Sequence, residues 1–443
     1  MKTVTFDRPY LFALIGVALL VVPLPAGPLS TAKPEEVGIS SERLKRIGEM
    51  VQRHMSAHQV AGAVTLVARR GRIAHFEAHG FMDLESKTPM TKDAIFHIAS
   101  MTKPVTGVAV MMLVEEGKIR LNDPVSRFIP EFKNIKVAVA NVNPNATMPG
   151  NRAGDIKLPV TLVPPIREVT IRDLLTHTSG LQGRGPGVSA VKIAPRSPTD
   201  KLADYIPRLG AAALDFQPGM GWAYSPLAGP DTLGRVVEIV SGLPFDRFLA
   251  ERLFGPLGMK DTAFSVSADR MPRLATVYYA GENAMRRRSP NQIAGEFCST
   301  PCVYFSGAGG LSSTAEDYLQ FAQMLLNGGQ LNGRRFLSPK TVELMSTDHV
   351  GELYATGCAH DPYGPCDFYD QRGMGFGLLV DVVKDAVAAG IGVSNGSFGW
   401  AGGNGTRFWV DPKEQMVTIL MVATRSVLFQ RDFEYAVKQA LIE

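Results

Sequence analysis

Phe96-His97-Ile98-Ala99-Ser100-Met101-Thr102-Lys103-Pro104 is the stretch from which the rest of this chain becomes readable. It puts a hydroxyl and an amine three residues apart at the expected start of a helix. Positions i and i+3 share a helix face, so Lys103 Nζ can reach back to Ser100 Oγ. A serine hydroxyl is a weak nucleophile at neutral pH and needs a neighbour to take its proton. A lysine can do this only if part of it is neutral, which burial and nearby positive charge promote. Val105, Val108, Met111, Met112 and Val114 follow, then Glu115-Glu116-Gly117, with Gly117 as the expected C-terminal stop. Pro104 is tolerated because it falls in the first turn, where N–H groups have no helical partner.

S-x-x-K alone is a weak pattern, and the chain repeats it at Ser30-Thr31-Ala32-Lys33 and Ser189-Ala190-Val191-Lys192. The first copy closes an expected export signal. The second follows Gly183, Gly185, Pro186 and Gly187 and reads as loop. A different decoy is Gly392-Val393-Ser394-Asn395-Gly396, which matches the G-x-S-x-G elbow of α/β-hydrolases. That motif needs an acid and then a histidine after the serine. The last of the eight histidines is His360, so the order is impossible and Ser394 reads as a loop residue.

The chain has 443 residues, 45% of them apolar, and a formal charge of +4. Its one basic run, Arg286-Arg287-Arg288, reads as a solvated loop, and nothing supports nucleic-acid binding. Lys2 and Arg8 precede an apolar run from Leu11 to Leu24 and small residues up to Ala32, so residues 1–30 read as a signal peptide and the protein as periplasmic or secreted. An uncleaved anchor is the competing reading; no later segment is a membrane span. Four cysteines form two close pairs, Cys298 with Cys302 and Cys358 with Cys366, consistent with disulfides in an oxidising compartment. Zinc binding with His349 and His360 competes, but the spacings are not those of zinc ligands, so no metal is expected. Three N-x-S/T sequons, at Asn145, Asn395 and Asn404, read as chance. Oligomeric state is not legible.

Ala63-Val64-Thr65-Leu66-Val67-Ala68 and Ile73-Ala74-His75-Phe76 flank a turn and predict a β-hairpin. Thr170-Ile171-Arg172-Asp173 resembles a capping box. Ser313-Thr314-Ala315-Glu316 predicts another, opening a helix that runs to Leu326–Gly328, and Pro244 a helix from Phe245 to Phe254 that stops at Gly255-Pro256. Residues 133–168 are rich in Asn, Pro and Gly and read as a long loop. Strand-like runs at Gly375–Val383, Thr406–Val410 and Met416–Val422 precede a final helix from Phe433. The expected organisation is a sheet domain from residues 31–118 and 345–443, interrupted by a mostly helical domain, 119–344.

Further segments carry a resemblance. Ile171 to Leu181, Pro218-Gly219-Met220-Gly221-Trp222-Ala223-Tyr224-Ser225, Phe254 to Met259, Gly307 to Ser313 and Trp400-Ala401-Gly402-Gly403 follow Phe96 to Pro104 in order over almost the whole chain. Together they resemble the class C β-lactamase-like serine hydrolases, which include penicillin-binding proteins, D-aminopeptidases and family VIII carboxylesterases. The resemblance implies an α/β fold: an antiparallel sheet flanked by helices, with a mostly helical domain inserted. It implies Ser100 as nucleophile, with Lys103 and Tyr224 as a coupled base whose proton carrier the sequence does not fix. Tyr224 falls on the tyrosine of the family's Y-x-N, although Pro226 replaces the asparagine. Trp400-Ala401-Gly402 takes the place of K-T-G on the edge strand, as a substrate-binding segment. The N–H groups of Ser100 and Gly403 would then form the oxyanion hole.

The missing asparagine, lysine and hydroxyl are those that hold a β-lactam, and tryptophan in the third motif resembles the family VIII esterases. The implied activity is a carboxylesterase acting on small-molecule esters without a cofactor. A β-lactamase or D-stereospecific peptidase, for which Arg407 could bind an anion, and a penicillin-binding protein that acylates without turnover are the alternatives.

Overall fold

The computed structural model describes residues 29–141, 159–183, 185–281, 284–289, 301–359 and 371–443. The expected signal peptide, apart from its last two residues, and the middle of the 133–168 segment lie outside them. So do Cys298, Cys366 and His360, and the side chain of Cys358.

An eight-stranded antiparallel sheet is built from both ends of the chain. Its strands are β1 (Gly62–Arg69), β2 (Arg72–Asp83), β3 (Thr88–Pro89), β4 (Met374–Phe376), β5 (Asp381–Val383), β6 (Phe398–Ala401), β7 (Arg407–Asp411) and β8 (Met416–Val422). Their order is β4-β5-β6-β7-β8-β1-β2-β3, so the first strand pairs with the last, Ala63 opposite Val422 and Arg69 opposite Met416. The β1–β2 turn is Arg70-Gly71, both with positive φ, which is the two-residue turn whose twist suits a hairpin.

Each residue of β1 is buried, because helices cover both faces. On one face Ala63, Val67, Leu420 and Val422 pack against α1 (Ser41–Ser56) and the C-terminal helix α5 (Val427–Lys438). On the other, Val64, Leu66, Phe408 and Ile419 meet a larger core containing α2 (Thr102–Glu115), α3 (Ala228–Ser241) and α4 (Ala315–Leu326). Helix α2 is apolar all round and buried from Thr102 to Leu113, as a central helix must be. It ends where Gly117 takes a left-handed φ of 70°.

Several local expectations change. The box at Thr170 is complete, with Asp173 at the third position. The one at Ser313 moves by a residue: Thr314 is the cap and accepts from Asp317 N–H, because Ser313 is taken up in a short strand beside Phe96–His97. The helix from Phe245 passes through a π turn at Ala250–Phe254 and continues over Gly255–Leu257, stopping at Gly258. The widened turn puts Pro256, which has no N–H, at the head of a fresh turn. The final helix starts at Val427, capped by Ser426. Residues 133–168 are not wholly loop, since Lys136–Ala140 pairs with Val160–Val163 and with Ala213–Leu214. Pro186–Ala190 is a one-turn helix rather than loop; Ser189 Oγ donates to Pro186 O, and Lys192 lies beyond it.

Candidate active site

The chain enters the site along the strand Phe96–His97, which pairs with Ser312–Ser313. Ile98 N–H donates to Leu311 O and Ile98 O accepts from Met101 N–H, which bends the backbone into a 3-10 turn over Ala99–Met101. Ala99 sits at φ 46°, a left-handed value uncommon for a residue with a Cβ. Such backbone persists only where surrounding bonds over-determine it. Here Tyr318 Oη donates to Met101 O at 2.8 Å and Thr102 Oγ1 accepts from Leu311 N–H. The outcome is a half-buried Ser100 at the head of α2 with Lys103 one turn in.

Lys103 is completely buried. Its Nζ lies 3.1 Å from Ser100 Oγ, 2.8 Å from Pro226 O and 2.9 Å from Ala308 O. Both carbonyls can only accept. A neutral amine gives them its two N–H bonds and keeps its lone pair for the Ser100 hydroxyl; an ammonium donates to all three. The same cage therefore satisfies the lysine before and after it takes a proton. Tyr224 Oη is 2.8 Å from Ser100 Oγ, and the Lys103 ammonium position lies 4.9 Å from the Tyr224 ring centre. Pro226, the departure from Y-x-N, thus contributes its carbonyl.

His177 holds the tyrosine from behind. It is buried at φ 58°, its Nδ1 accepts from Ser225 N–H at 3.3 Å, and its ring lies 4.9 Å edge-on from Tyr224. Burial, with the Lys103 charge second, pushes its imidazole well below the usual histidine range, so it is neutral. Trp222, Phe376, Tyr354 and Trp400 extend this aromatic wall; Trp400 lies 5.7 Å from Tyr224 and 5.3 Å from Phe376.

Trp400-Ala401 ends β6, which is not an edge strand: β5 pairs with it at Phe398 and Gly399 and stops there. Trp400, Ala401 and Gly402 are buried, and Gly403 is exposed. Gly402 comes so close to the turn that carries Ser100 that a Cβ there would stand 2.3 Å from Ile98 O, whereas one at Gly403 would meet nothing within 4 Å. Asn404 is buried, donates to His97 O and accepts from Arg288 Nη1. Its burial leaves no room for a glycan. Arg288, expected in a solvated loop, is buried too, and Arg287 pairs with Asp83 at 3.0 Å. Among the described residues, the backbone N–H groups of Ser100 and Gly403 have no acceptor.

Arg407 does not reach an incoming anion. It is buried between Asp381 and Glu434, with its guanidinium 4.4 Å from the Trp409 ring. Ser394 lies at the opposite end of β6 from Gly403, where its N–H donates to Asp411. Cys302 is disulfide-bonded. His349 donates through Nε2 to Leu344 O, and its Nδ1 faces Arg172 at 3.0 Å. The sequence reading missed the carbonyls of Pro226 and Ala308, and His177 behind Tyr224. His177 could have been suspected from its place in a quoted segment; backbone carbonyls leave no trace in residue type.

Comparison with known proteins gives the chain a family. The beta-lactamase family profile matches residues 47–441. Protein Rv1367c of Mycobacterium tuberculosis is 37% identical over 368 residues, covering 82% of this chain and 86% of its own length. Esterase EstB of Burkholderia gladioli is 31% identical over 403 residues, covering 86% and 90%. The structure of EstCE1, a hydrolase with promiscuous acyltransferase activity, superposes with a TM-score of 0.71 at 26% identity, over 90% of this chain and 99% of its own. On the profile match along almost its whole length, the chain belongs to the beta-lactamase family, as a serine hydrolase related to esterases.

Proposed function

We propose that the protein is an exported carboxylesterase that cleaves short-chain esters through a Ser100 acyl-enzyme. The observation that carries this is Ser100 Oγ lying between Lys103 Nζ at 3.1 Å and Tyr224 Oη at 2.8 Å, under an indole where a lactam-binding cation would stand. The esterase relatives support the same reading. Ser100 Oγ bonds to the ester carbonyl carbon as its proton passes to Lys103. The oxyanion sits against the N–H groups of Ser100 and Gly403, a type of contact worth about 3 kcal/mol per donor. The C–O bond to the alkoxy group then breaks and Tyr224 hands that group a proton, drawn from the coupled Lys103–Tyr224 pair. Water attacks the acyl carbon as its proton passes to Tyr224; the bond from that carbon to Ser100 Oγ then breaks, Oγ takes back a proton from Lys103, and the carboxylic acid leaves. Trp400 gives the acyl or alcohol group an apolar wall that needs no carboxylate on the substrate.

Burial of Arg407 weighs against the β-lactamase and peptidase alternatives, which would use a free cation. Export rests on the sequence of residues 1–30 and is supported by the bonded Cys302; protein recovered outside the cytoplasm should begin near residue 31. The deciding assay compares the purified protein with Ser100→Ala on p-nitrophenyl butyrate and nitrocefin. Ester turnover that vanishes in the variant is expected. Equal turnover of nitrocefin would favour a lactamase, and a lasting adduct at Ser100 without turnover a penicillin-binding protein. An active Ser100→Ala would sink the assignment.

A further inference from the structure

We infer that Asp231 is a positioning residue for the Lys103 amine, holding the Ala308 peptide that cages it and supplying the negative charge behind it; this rests on the Ser100–Lys103 reading above. Asp231 lies in the first turn of α3 and is 3% exposed. Its Oδ1 accepts from Ser306 Oγ at 2.7 Å and Ala308 N–H at 3.0 Å, and its Oδ2 from Tyr304 Oη at 2.8 Å. Ala308 is thereby gripped twice, its N–H by Asp231 and its carbonyl by Lys103. The adjoining Gly307 cannot drift, since its carbonyl accepts from Thr106 Oγ1 at 2.7 Å and a Cβ there would stand 2.7 Å from Pro230 O. The carboxylate and the amine are thus two buried ionisable groups on separate helices, bridged by one residue.

The groups facing Lys103 are Asp231, Tyr224 and the neutral His177; those facing Asp231 are Lys103, Tyr304 and Tyr205. Burial pushes the Asp231 carboxyl up, against its three donors and the Lys103 charge. An anionic Asp231 favours the ammonium that forms as Ser100 gives up its proton. Removing that charge takes away the field that favours the ammonium.

The test is the pH profile of kcat/KM on p-nitrophenyl butyrate for the wild type, Asp231→Asn and Tyr304→Phe. An asparagine can keep the contacts, with Oδ1 accepting from Ser306 and Ala308 and Nδ2 donating to Tyr304. In Asp231→Asn the acidic limb should move about one unit toward lower pH. Tyr304→Phe deprives the carboxylate of one donor, so Asp231 holds its proton to higher pH and the limb moves the same way by less. A merely structural role would lower the plateau and leave the limb in place. An unmoved limb in Asp231→Asn, or in Tyr304→Phe if the first variant does not fold, overturns the inference. An unmoved limb with an inactive Ser100→Ala overturns only the role of Asp231; an active Ser100→Ala overturns the parent reading.

Discussion

Gly402→Ala tests whether the end of β6 and the Ala99–Met101 turn act as one fitted unit. The added Cβ would lie 2.3 Å from Ile98 O and 2.2 Å from Thr406 Oγ1. The threonine can rotate; the carbonyl cannot, because it also accepts from Met101 N–H at 3.1 Å and so begins the turn that carries Ser100. Restoring an ordinary contact requires the two backbones to separate by about 1 Å, and a shift of that size can cost about 10²-fold in rate. If the separation removes the Gly403 donor from the oxyanion position, kcat falls about 10²- to 10³-fold, or about 3 to 4 kcal/mol. Overpacking also costs about 1–3 kcal/mol of stability. Steady-state turnover of p-nitrophenyl butyrate, with thermal unfolding followed by circular dichroism, reads both. Gly403→Ala calibrates the melt, since its Cβ meets no protein atom and its unfolding temperature should match the wild type. A Gly402→Ala protein with wild-type kcat and stability would refute the fitted contact.

Two further outcomes follow from single side chains. Tyr224→Phe keeps the ring against His177 and Trp400 but loses the hydroxyl 2.8 Å from Ser100, so kcat should drop about 10²- to 10⁴-fold with KM little changed; a loss under about tenfold would reduce Tyr224 to packing. Burial pushes Asp317 up to about 6 from a usual 3.8, so the folded state holds its proton more tightly than the unfolded chain. That contribution is full below pH 3.8 and lost as pH rises through 6. Between pH 4.5 and 8, Asp317→Asn should therefore gain about 2 kcal/mol relative to the wild type in urea unfolding; parallel pH dependence of the two proteins would exclude it.

What the sequence made legible was local. The apolar run after Ser100, the Arg70-Gly71 turn and the Thr170 box each carry their geometry in neighbouring residues, and each forms where expected. The sliding of the next cap from Ser313 to Thr314 has a remote cause. Ser313 is claimed by Phe96, far away in the chain, and both Ser-Thr-Ala-Glu and Thr-Ala-Glu-Asp can cap a helix. Arg407 misled for the same reason, since its distance from Trp400 along the chain says nothing about which face of β7 it occupies. Opposite Leu420, it faces the α1–α5 layer and is spent on Glu434. The lysine cage was invisible because its acceptors are main-chain carbonyls, which any residue could supply.

The pairing of β1 with β8 also sets an order of events in synthesis. Ser100 and Lys103 are made early, yet the sheet that carries the site cannot close until Met416–Val422 exists. Such distant pairing delays the last step of folding, whatever helices have already gathered. A chain that stops short of Met416 would therefore carry its serine and lysine without the closed sheet that sets Gly403 beside them. The topology acts as a timer: the halves of the chain that carry Ser100 and Gly403 are held against each other only once Met416–Val422 has paired with Gly62–Arg69.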